Sequence, residues 1–298
     1  MMAGMSSSVK TGTGSWVWVD TETKRDEAAR DITRAPVIGM DTEYDSFRYF
    51  REKLCLLQIN SGTCSYLFDP LAELDFSFLG EVFRHDGQVK VIHAGDNDIR
   101  ILKRDYGFTF QNVFDTHRAA ALLGRKELSL AALIRQYLNA GFEKQKKLQR
   151  SRWEIRPLSH EQLRYAVQDT FFLIDLYEKL QAEIDKAGCR DAAAGIFAEI
   201  AAVYWHEKTI NHHGYKHIHG FGDLTPMERE RLKHLYLWRF QKAKESNRAV
   251  FMICSDQELL RIATTSFPSL VNLMTGAGLS QEKVRRYGSE LLEVLAGR

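Results

Sequence analysis

The sequence predicts a mixed α/β domain followed by a smaller all-helical one. Three observations carry this. β-Branched and aromatic runs at 37–43, 54–59, 66–68 and 89–93 give way to alternating strand and helix patterns. Strand signals stop after Gly188, and from Asp223 onward the apolar spacing is helical throughout. At 298 residues the chain is long for one domain and suited to two.

Residues 1–15 are small and polar, lack the apolar stretch of a secretory signal, and are expected to form a flexible leader. Trp16-Val17-Trp18-Val19 reads as a short strand. A surface helix follows over 21–32, with Asp20 or Thr21 as the N-cap. Residues 37–43 are apolar on both faces until an acidic end, as a strand buried in mid-sheet requires. The strands 54–59 and 66–68 are parted by the turn residues Asn60-Ser61-Gly62.

Next come a helix at 76–83, a strand at 89–93, a helix at 96–106, a strand at 112–114 and helices at 116–123 and 129–138. A single long helix is expected over 159–186. Ser159 caps it, Pro157 lies just before, and Gln162 holds the capping-box position. Hairpin-connected strands followed by strand-helix alternation make a mixed sheet. No GxGxxG or P-loop occurs, so a nucleotide-cofactor fold would lack its phosphate cradle. Residues 192–203 are helical and 206–222 are irregular and His-rich. The expected domains are therefore 16–190 and 223–298, joined by a linker at 191–222.

Composition excludes several classes. Apolar residues at 44% and charged residues at 27% are ordinary for a globular chain. A net charge of +2 leaves any polyanion partner to local clusters. The four cysteines form no CxxC pair, which argues against a zinc knuckle and suits free thiols in a reducing, cytoplasmic setting. No run approaches the ~18 apolar residues of a membrane helix, so no membrane partner is expected.

The chemistry concentrates in acids. Asp41 and Glu43 end a buried strand two residues apart, so both carboxylates project from one face. Like charges held together in a half-buried site are costly unless a cation compensates them, and carboxylates are the donors Mg²⁺ and Mn²⁺ prefer. Tyr165 and Asp169, four apart, share one face of a helix. His93-Ala94-Gly95-Asp96-Asn97-Asp98 sets acids at a strand-to-helix junction, and spacing leaves both Asp96 and Asp98 open. Each feature alone has a plainer reading: a solvated strand end, an amphipathic helix, an N-cap. Together they are the inventory for two divalent ions ~3.5–4 Å apart on a phosphodiester.

Asp41-Thr42-Glu43, the segment 93–102, and Tyr165-Ala166-Val167-Gln168-Asp169 resemble the three motifs of the DEDD exonucleases, tyrosine subclass. Phe114-Asp115-Thr116 with Ala119 to Gly124, and Trp153-Glu154-Ile155-Arg156-Pro157-Leu158-Ser159, are similar to segments of the ribonuclease D family. Leu235, Trp238, Arg239, Ala243, Asn247, Leu259, Ile262, Ala263 and Pro268 resemble the HRDC domain. Ala249 departs from the HRDC pattern where proline is frequent, and Arg152 departs from the ribonuclease D pattern where an acid often precedes the tryptophan.

The resemblance covers about residues 16–298 and implies a ribonuclease-H-like nuclease fold. It implies Asp41, Glu43, Asp98 and Asp169 as ligands of two Mg²⁺ or Mn²⁺ ions, with Tyr165 orienting the attacking water. Asp98 is taken over Asp96 because the motif sets its acid just before the apolar Ile99. The implied reaction is 3′–5′ release of nucleoside 5′-monophosphates from RNA, single-stranded or a tRNA precursor. DNA is the rival substrate, and a non-catalytic RNA-binding scaffold the rival class. All four acids being present disfavours the scaffold.

Lys144, Lys146, Lys147, Arg150, Arg152 and Arg156 form a basic stretch just before the third motif, expected to hold the phosphate backbone. Trp153 is expected to be a buried anchor ahead of a base-stacking residue. Arg229, Arg231, Lys233, Arg239, Lys242, Lys244 and Arg248 predict an auxiliary RNA grip in the helical domain. His206, His212, His213, His217 and His219 suit a linker loop better than a zinc site. His93 and His117 are expected to take structural hydrogen-bonding roles.

Overall fold

The computed structural model describes residues 14–141, 146–265 and 268–297. Residues 1–13 of the expected leader, and Lys144 of the basic stretch, lie outside the described residues, as does the side chain of Lys146. The chain divides into two compact units: the residues up to Asp45 with Leu54–Trp205, and Ser46–Lys53 with His206–Arg298.

The first unit is built on six strands: β1 (Trp16–Val19), β2 (Val37–Asp45), β3 (Lys53–Asn60), β4 (Ser65–Phe68), β5 (Val89–Ile92) and β6 (Val113–Asp115). Their order across the sheet is β1-β4-β3-β2-β5-β6. β3 and β4 form the antiparallel hairpin, whereas β1–β4, β2–β5 and β5–β6 are parallel. The mixed sheet expected from sequence is the one found, with the acid-bearing strand near its middle.

Helices α1 (Glu22–Arg34), α2 (Phe78–Arg84) and α3 (Asp96–Tyr106) pack on β2 through Ile38 and Met40, around Ile32, Leu79, Phe83, Ile99 and Leu102. A second core joins α4 (Thr116–Leu122), α5 (Leu130–Leu138) and the following long helices through Val91, Leu133, Leu173, Leu176 and Leu180. Thr21 caps α1, its side chain accepting the Lys24 N–H at 3.3 Å. A one-turn helix, α6 (Lys146–Gln149), precedes Trp153, which is buried to 1% exposure among Cys55, Leu56, Leu67 and Tyr165. The anchor role expected for that tryptophan is the one it has.

The helix expected over 159–186 is in fact two, α7 (His160–Phe171) and α8 (Leu173–Ala187). Its start is as expected: Ser159 and Gln162 complete a capping box. The break at Phe172 has no proline or glycine behind it. It lies where β2 comes against the helix pair. A Cβ placed on Gly39 would sit 3.0 Å from Leu173 Cβ and 3.1 Å from the Thr170 carbonyl oxygen. Even a methyl there would be tighter than ordinary van der Waals contact, so glycine suits the close approach of strand and helix. The first unit closes with α9 (Arg190–Ala201), packed on β6.

The second unit is helical: α10 (Pro226–Glu245), α11 (Val250–Ile253), α12 (Asp256–Ala263), α13 (Leu270–Thr275) and α14 (Gln281–Leu295). Capping boxes at Thr225/Glu228 and Ser255/Glu258 start α10 and α12. The unit begins at His206, ahead of the 223 expected, and takes in 46–53. Phe50, Tyr215, Ile218 and Leu224 are buried in one core with Leu232, Leu235, Leu259, Ile262 and Leu291. The His-rich stretch contains two 3₁₀ turns, Gly214–His217 and Phe221–Asp223. Arg51 ties the inserted segment down, pairing with Glu207 and donating to the Lys244 carbonyl at 3.1 Å. Ala249, where proline is frequent in similar domains, uses its N–H to donate to the Arg48 carbonyl at 2.9 Å, a bond proline cannot make.

Among the described residues no helix is long and apolar enough to cross a membrane. All four cysteines are free thiols.

Candidate active site

Strand alternation assigns the acids of β2 to their partners. Gly39, Asp41 and Glu43 share the face that meets α7 and α8, while Met40, Thr42 and Tyr44 face α3. The carboxylates of Asp41 and Glu43 therefore meet Asp169, which α7 brings down onto that face. One ligand oxygen from each of the three lies within 4.8 Å of the others, and this is the single metal-capable group of His, Cys, Asp or Glu among the described residues. Glu43 and Asp169 are buried and Asp41 half-buried. The five linker histidines form no such group.

Asp98 arrives from the other face. Its Oδ1 accepts a hydrogen bond from the hydroxyl of Thr42, the residue between Asp41 and Glu43. Burial pushes the Asp98 carboxyl up to about 6, partly opposed by the Thr42 bond. Asn97, beside it, donates to the Tyr44 hydroxyl at 2.8 Å. Burial likewise raises the Tyr44 phenol to about 12. The two junction acids differ in burial: Asp98 is 7% exposed, whereas Asp96 is partly exposed and meets Arg118 at 3.4 Å, and neither belongs to the group of three.

Tyr165 lies one helical turn from Asp169 and is 3% exposed. Its phenol is held far above the ordinary tyrosine range, first by burial and then by the charges of Asp169, Glu43 and Asp41. In the metal-free protein it is therefore held in its protonated form through the neutral range. Trp153 backs it, ring centroids 6.0 Å apart.

The basic residues divide. Lys147 and Arg150 are exposed, and Arg152, also exposed, pairs with Glu154 at 2.6 Å. Arg156 does not belong to the phosphate-binding set expected for it. Its guanidinium grips both oxygens of Asp69 at 2.7 and 2.6 Å and donates to the Cys55 and Trp153 carbonyls at 2.6 Å. Arg239 leaves that set too, since it is 5% exposed and donates to the Cys254 carbonyl and to Asp256. Other cations of α10 are also engaged, Lys242 with Glu290 and Lys244 with Glu207. His93 Nδ1 meets the Thr116 hydroxyl at 2.9 Å, as its structural role predicts.

Sequence reasoning did not single out Thr42, although it is the direct partner of Asp98. Its signal is positional: a hydroxyl residue between two in-facing acids must face the opposite side.

A family model described as 3′–5′ exonuclease matches residues 16–185, and an HRDC domain model matches residues 228–295. The chain is 38% identical over 167 residues to the "Exosome complex component 10 homolog" of Drosophila melanogaster, covering 56% of this chain and 18% of that protein. It is 30% identical over 264 residues to the ribonuclease D of Haemophilus influenzae, covering 87% of this chain and 65% of that protein. The chain thus spans less than two-thirds of either relative. The catalytic core of RRP6 from Trypanosoma brucei superposes with a TM-score of 0.86 at 24% identity, over 97% of this chain and 81% of that one, a likeness of fold.

Proposed function

We propose that this chain, which belongs to the 3′–5′ exonuclease family and carries an HRDC domain behind its nuclease fold, is a metal-dependent exoribonuclease of the ribonuclease D type. The observation that carries the proposal is the trio Asp41, Glu43 and Asp169 gathered within 4.8 Å, with Tyr165 one turn from Asp169. Such a donor set fits Mg²⁺ or Mn²⁺: it is all carboxylate oxygen, and three like charges so close call for a cation. Asp41, Glu43 and Asp169 would hold the ions, with Asp98 as fourth ligand behind Thr42. Two divalent ions in such a site lower the pKa of a bound water and offset charge on the leaving 3′ oxygen.

The protein's own contributions follow from its geometry. The carboxylates fix the site on β2 and α7, two elements packed directly on each other. Tyr165, protonated throughout the neutral range, donates a hydrogen bond and so orients water rather than deprotonating it. A water oxygen bonds to the phosphorus as the bond between phosphorus and the 3′ oxygen breaks, the water's proton passing finally to that 3′ oxygen, giving a nucleoside 5′-monophosphate and a chain one nucleotide shorter. Tyr165→Phe should lower kcat by ~10²-fold with little change in KM, since only the orientation of the nucleophile is lost. Steady-state kinetics on a single-stranded RNA measures this. Weaker RNA affinity with kcat unchanged in this variant would assign the tyrosine to binding instead.

RNA 3′-end processing, as in tRNA maturation, is the role proposed, with exposed Lys147, Arg150 and Arg152 on the phosphates. Free thiols support a reducing, cytoplasmic setting. The likeness to an exosome component favours a second reading, RNA degradation alongside an exosome, which co-sedimentation with an exosome core would test.

The direct experiment uses 5′-labelled single-stranded RNA, matched DNA and a 3′-extended tRNA precursor, each with Mg²⁺ or Mn²⁺. A ladder shortening from the 3′ end, faster on RNA and abolished by EDTA, is expected. A ladder on DNA alone would transfer the assignment to a DNA exonuclease, and RNA binding without shortening would leave a scaffold.

A further inference from the structure

Asp115, the last residue of β6, is fully buried and belongs to none of the acids discussed above. Its carboxylate accepts four backbone N–H bonds. Two come from His117 and Arg118 at 2.8 and 3.1 Å and cap the start of α4. The other two come from Ala94 and Gly95 at 3.1 and 3.0 Å, across the sheet edge at the junction between β5 and α3.

That junction is not an easy turn. Ala94 has φ +54°, in the left-handed region that residues with a Cβ rarely occupy. A Cβ on Gly95 would fall 2.5 Å from Ile92 Cδ1, so only glycine fits. Thr116, next to Asp115, adds bonds from the same side. Its hydroxyl donates to the Ile92 carbonyl at 3.1 Å and meets His93 Nδ1 at 2.9 Å. The β6–α4 corner thus stitches the whole β5–α3 corner, residue by residue from Ile92 to Gly95.

Capping alone does not call for this residue. Serine, threonine or asparagine would cap α4 without burying a charge, which is expensive unless several donors compensate it. What a carboxylate adds is a second acceptor oxygen: Oδ1 serves the α4 cap and Ala94, while Oδ2 takes Gly95. The Gly95 carbonyl in turn accepts the Ile99 N–H at 3.1 Å, so the held junction sets the first turn of α3. Asp98 sits in that turn.

We infer that Asp115 is a positioning residue for the metal site: it locks the β5–α3 junction so that Asp98 meets Thr42 beside the other ligands. The inference rests on the proposed assignment of Asp98 as a metal ligand. A buried partner of this kind acts as an outer support of a metal ligand, whose loss weakens metal affinity by ~10–100-fold.

Asp115→Asn keeps the shape but leaves one acceptor oxygen for four N–H groups. Asp115→Ser keeps the α4 cap and is too short to reach Ala94 and Gly95. Mn²⁺ binding to the full chain is measured by titration calorimetry, alongside kcat, the KM for RNA and the melting temperature. Both variants are expected to bind Mn²⁺ at least ~10-fold more weakly than wild type and to lose kcat with KM for RNA held. Asp115→Ser should melt below wild type, because Ala94 and Gly95 lose their acceptor, but stay folded at the assay temperature, so binding and kcat are measured well below its midpoint and their loss is not one of unfolding. Wild-type Mn²⁺ affinity and kcat in Asp115→Ser would overturn the inference and leave Asp115 a helix cap. A wild-type chain that binds no Mn²⁺ would instead overturn the metal-dependent function, and the inference with it.

Discussion

Asp41→Asn and Asp169→Asn are each expected to lower kcat by ~10³-fold or more, while the protein stays folded. Each substitution removes one charged oxygen donor from a three-carboxylate cluster. Loss of correctly held divalent charge costs several kcal/mol of transition-state stabilisation, and every ~1.4 kcal/mol is a factor of ten. Stability should move the other way. Without metal the three carboxylates repel, so replacing one by a neutral isostere relieves that repulsion. The melting temperature of the metal-free variants should equal or exceed wild type. The labelled-RNA ladder and a thermal melt in EDTA check both halves. Activity that survived both substitutions would mean that the hydrolysis is carried elsewhere or by a contaminant.

The second large effect is on stability alone. Arg156→Ala should destabilise the nuclease unit by ~2–4 kcal/mol and leave RNA affinity unchanged. The side chain of Asp69 is only 9% exposed and receives both guanidinium donors of Arg156, whose own side chain is 24% exposed. Breaking a buried pair from one side costs ~3–5 kcal/mol because the other charge is left uncompensated, and the partial exposure here trims that figure. The carbonyls of Cys55 and Trp153 also lose their donor. Arg150→Ala is the matched control, exposed and expected to weaken RNA binding without moving the denaturant midpoint. If Arg156→Ala weakened RNA binding at unchanged stability, the residue would return to the phosphate-binding set.

Most strands and helices were legible because periodicity reports burial directly. Residues 37–43, apolar on both faces, could only be a central strand, and Ser159 with Gln162 marked a helix start that is present to the residue. The break at Phe172 was not legible. It lies where β2 packs closely on the helix pair near Thr170 and Leu173, a tertiary setting without a local residue signal. The inward turn of Arg156 and Arg239 escaped for a similar reason: a guanidinium looks the same in sequence whether it faces phosphate or a buried carboxylate. Phe50 joining the helical core was invisible too, since its partners lie far along the chain.

For the site, Asp41, Glu43 and Asp169 followed from spacing, because period 2 and period 3.6 each fix a face. Spacing left Asp96 and Asp98 open and only the motif resemblance favoured Asp98, while Thr42 needed its partner in view.

Gly39 bears on how the active centre tolerates change. Two residues upstream of Asp41, it lets strand backbone rest against the Thr170 carbonyl, one residue beyond Asp169. The gap between the two elements that carry the acidic cluster is therefore set by strand backbone against the Thr170 carbonyl and the Leu173 Cβ. Side chains around it can be exchanged for others of similar volume, as cores generally permit, without altering that gap. A single methyl on Gly39 would meet Leu173 Cβ at 3.0 Å and the Thr170 carbonyl oxygen at 3.1 Å, so strand and helix would have to give by a few tenths of an ångström, a shift expected to reach the carboxylates two residues along the strand. Drift in the surrounding core is thereby uncoupled from the calibration of the chemistry, which hangs on one absent side chain.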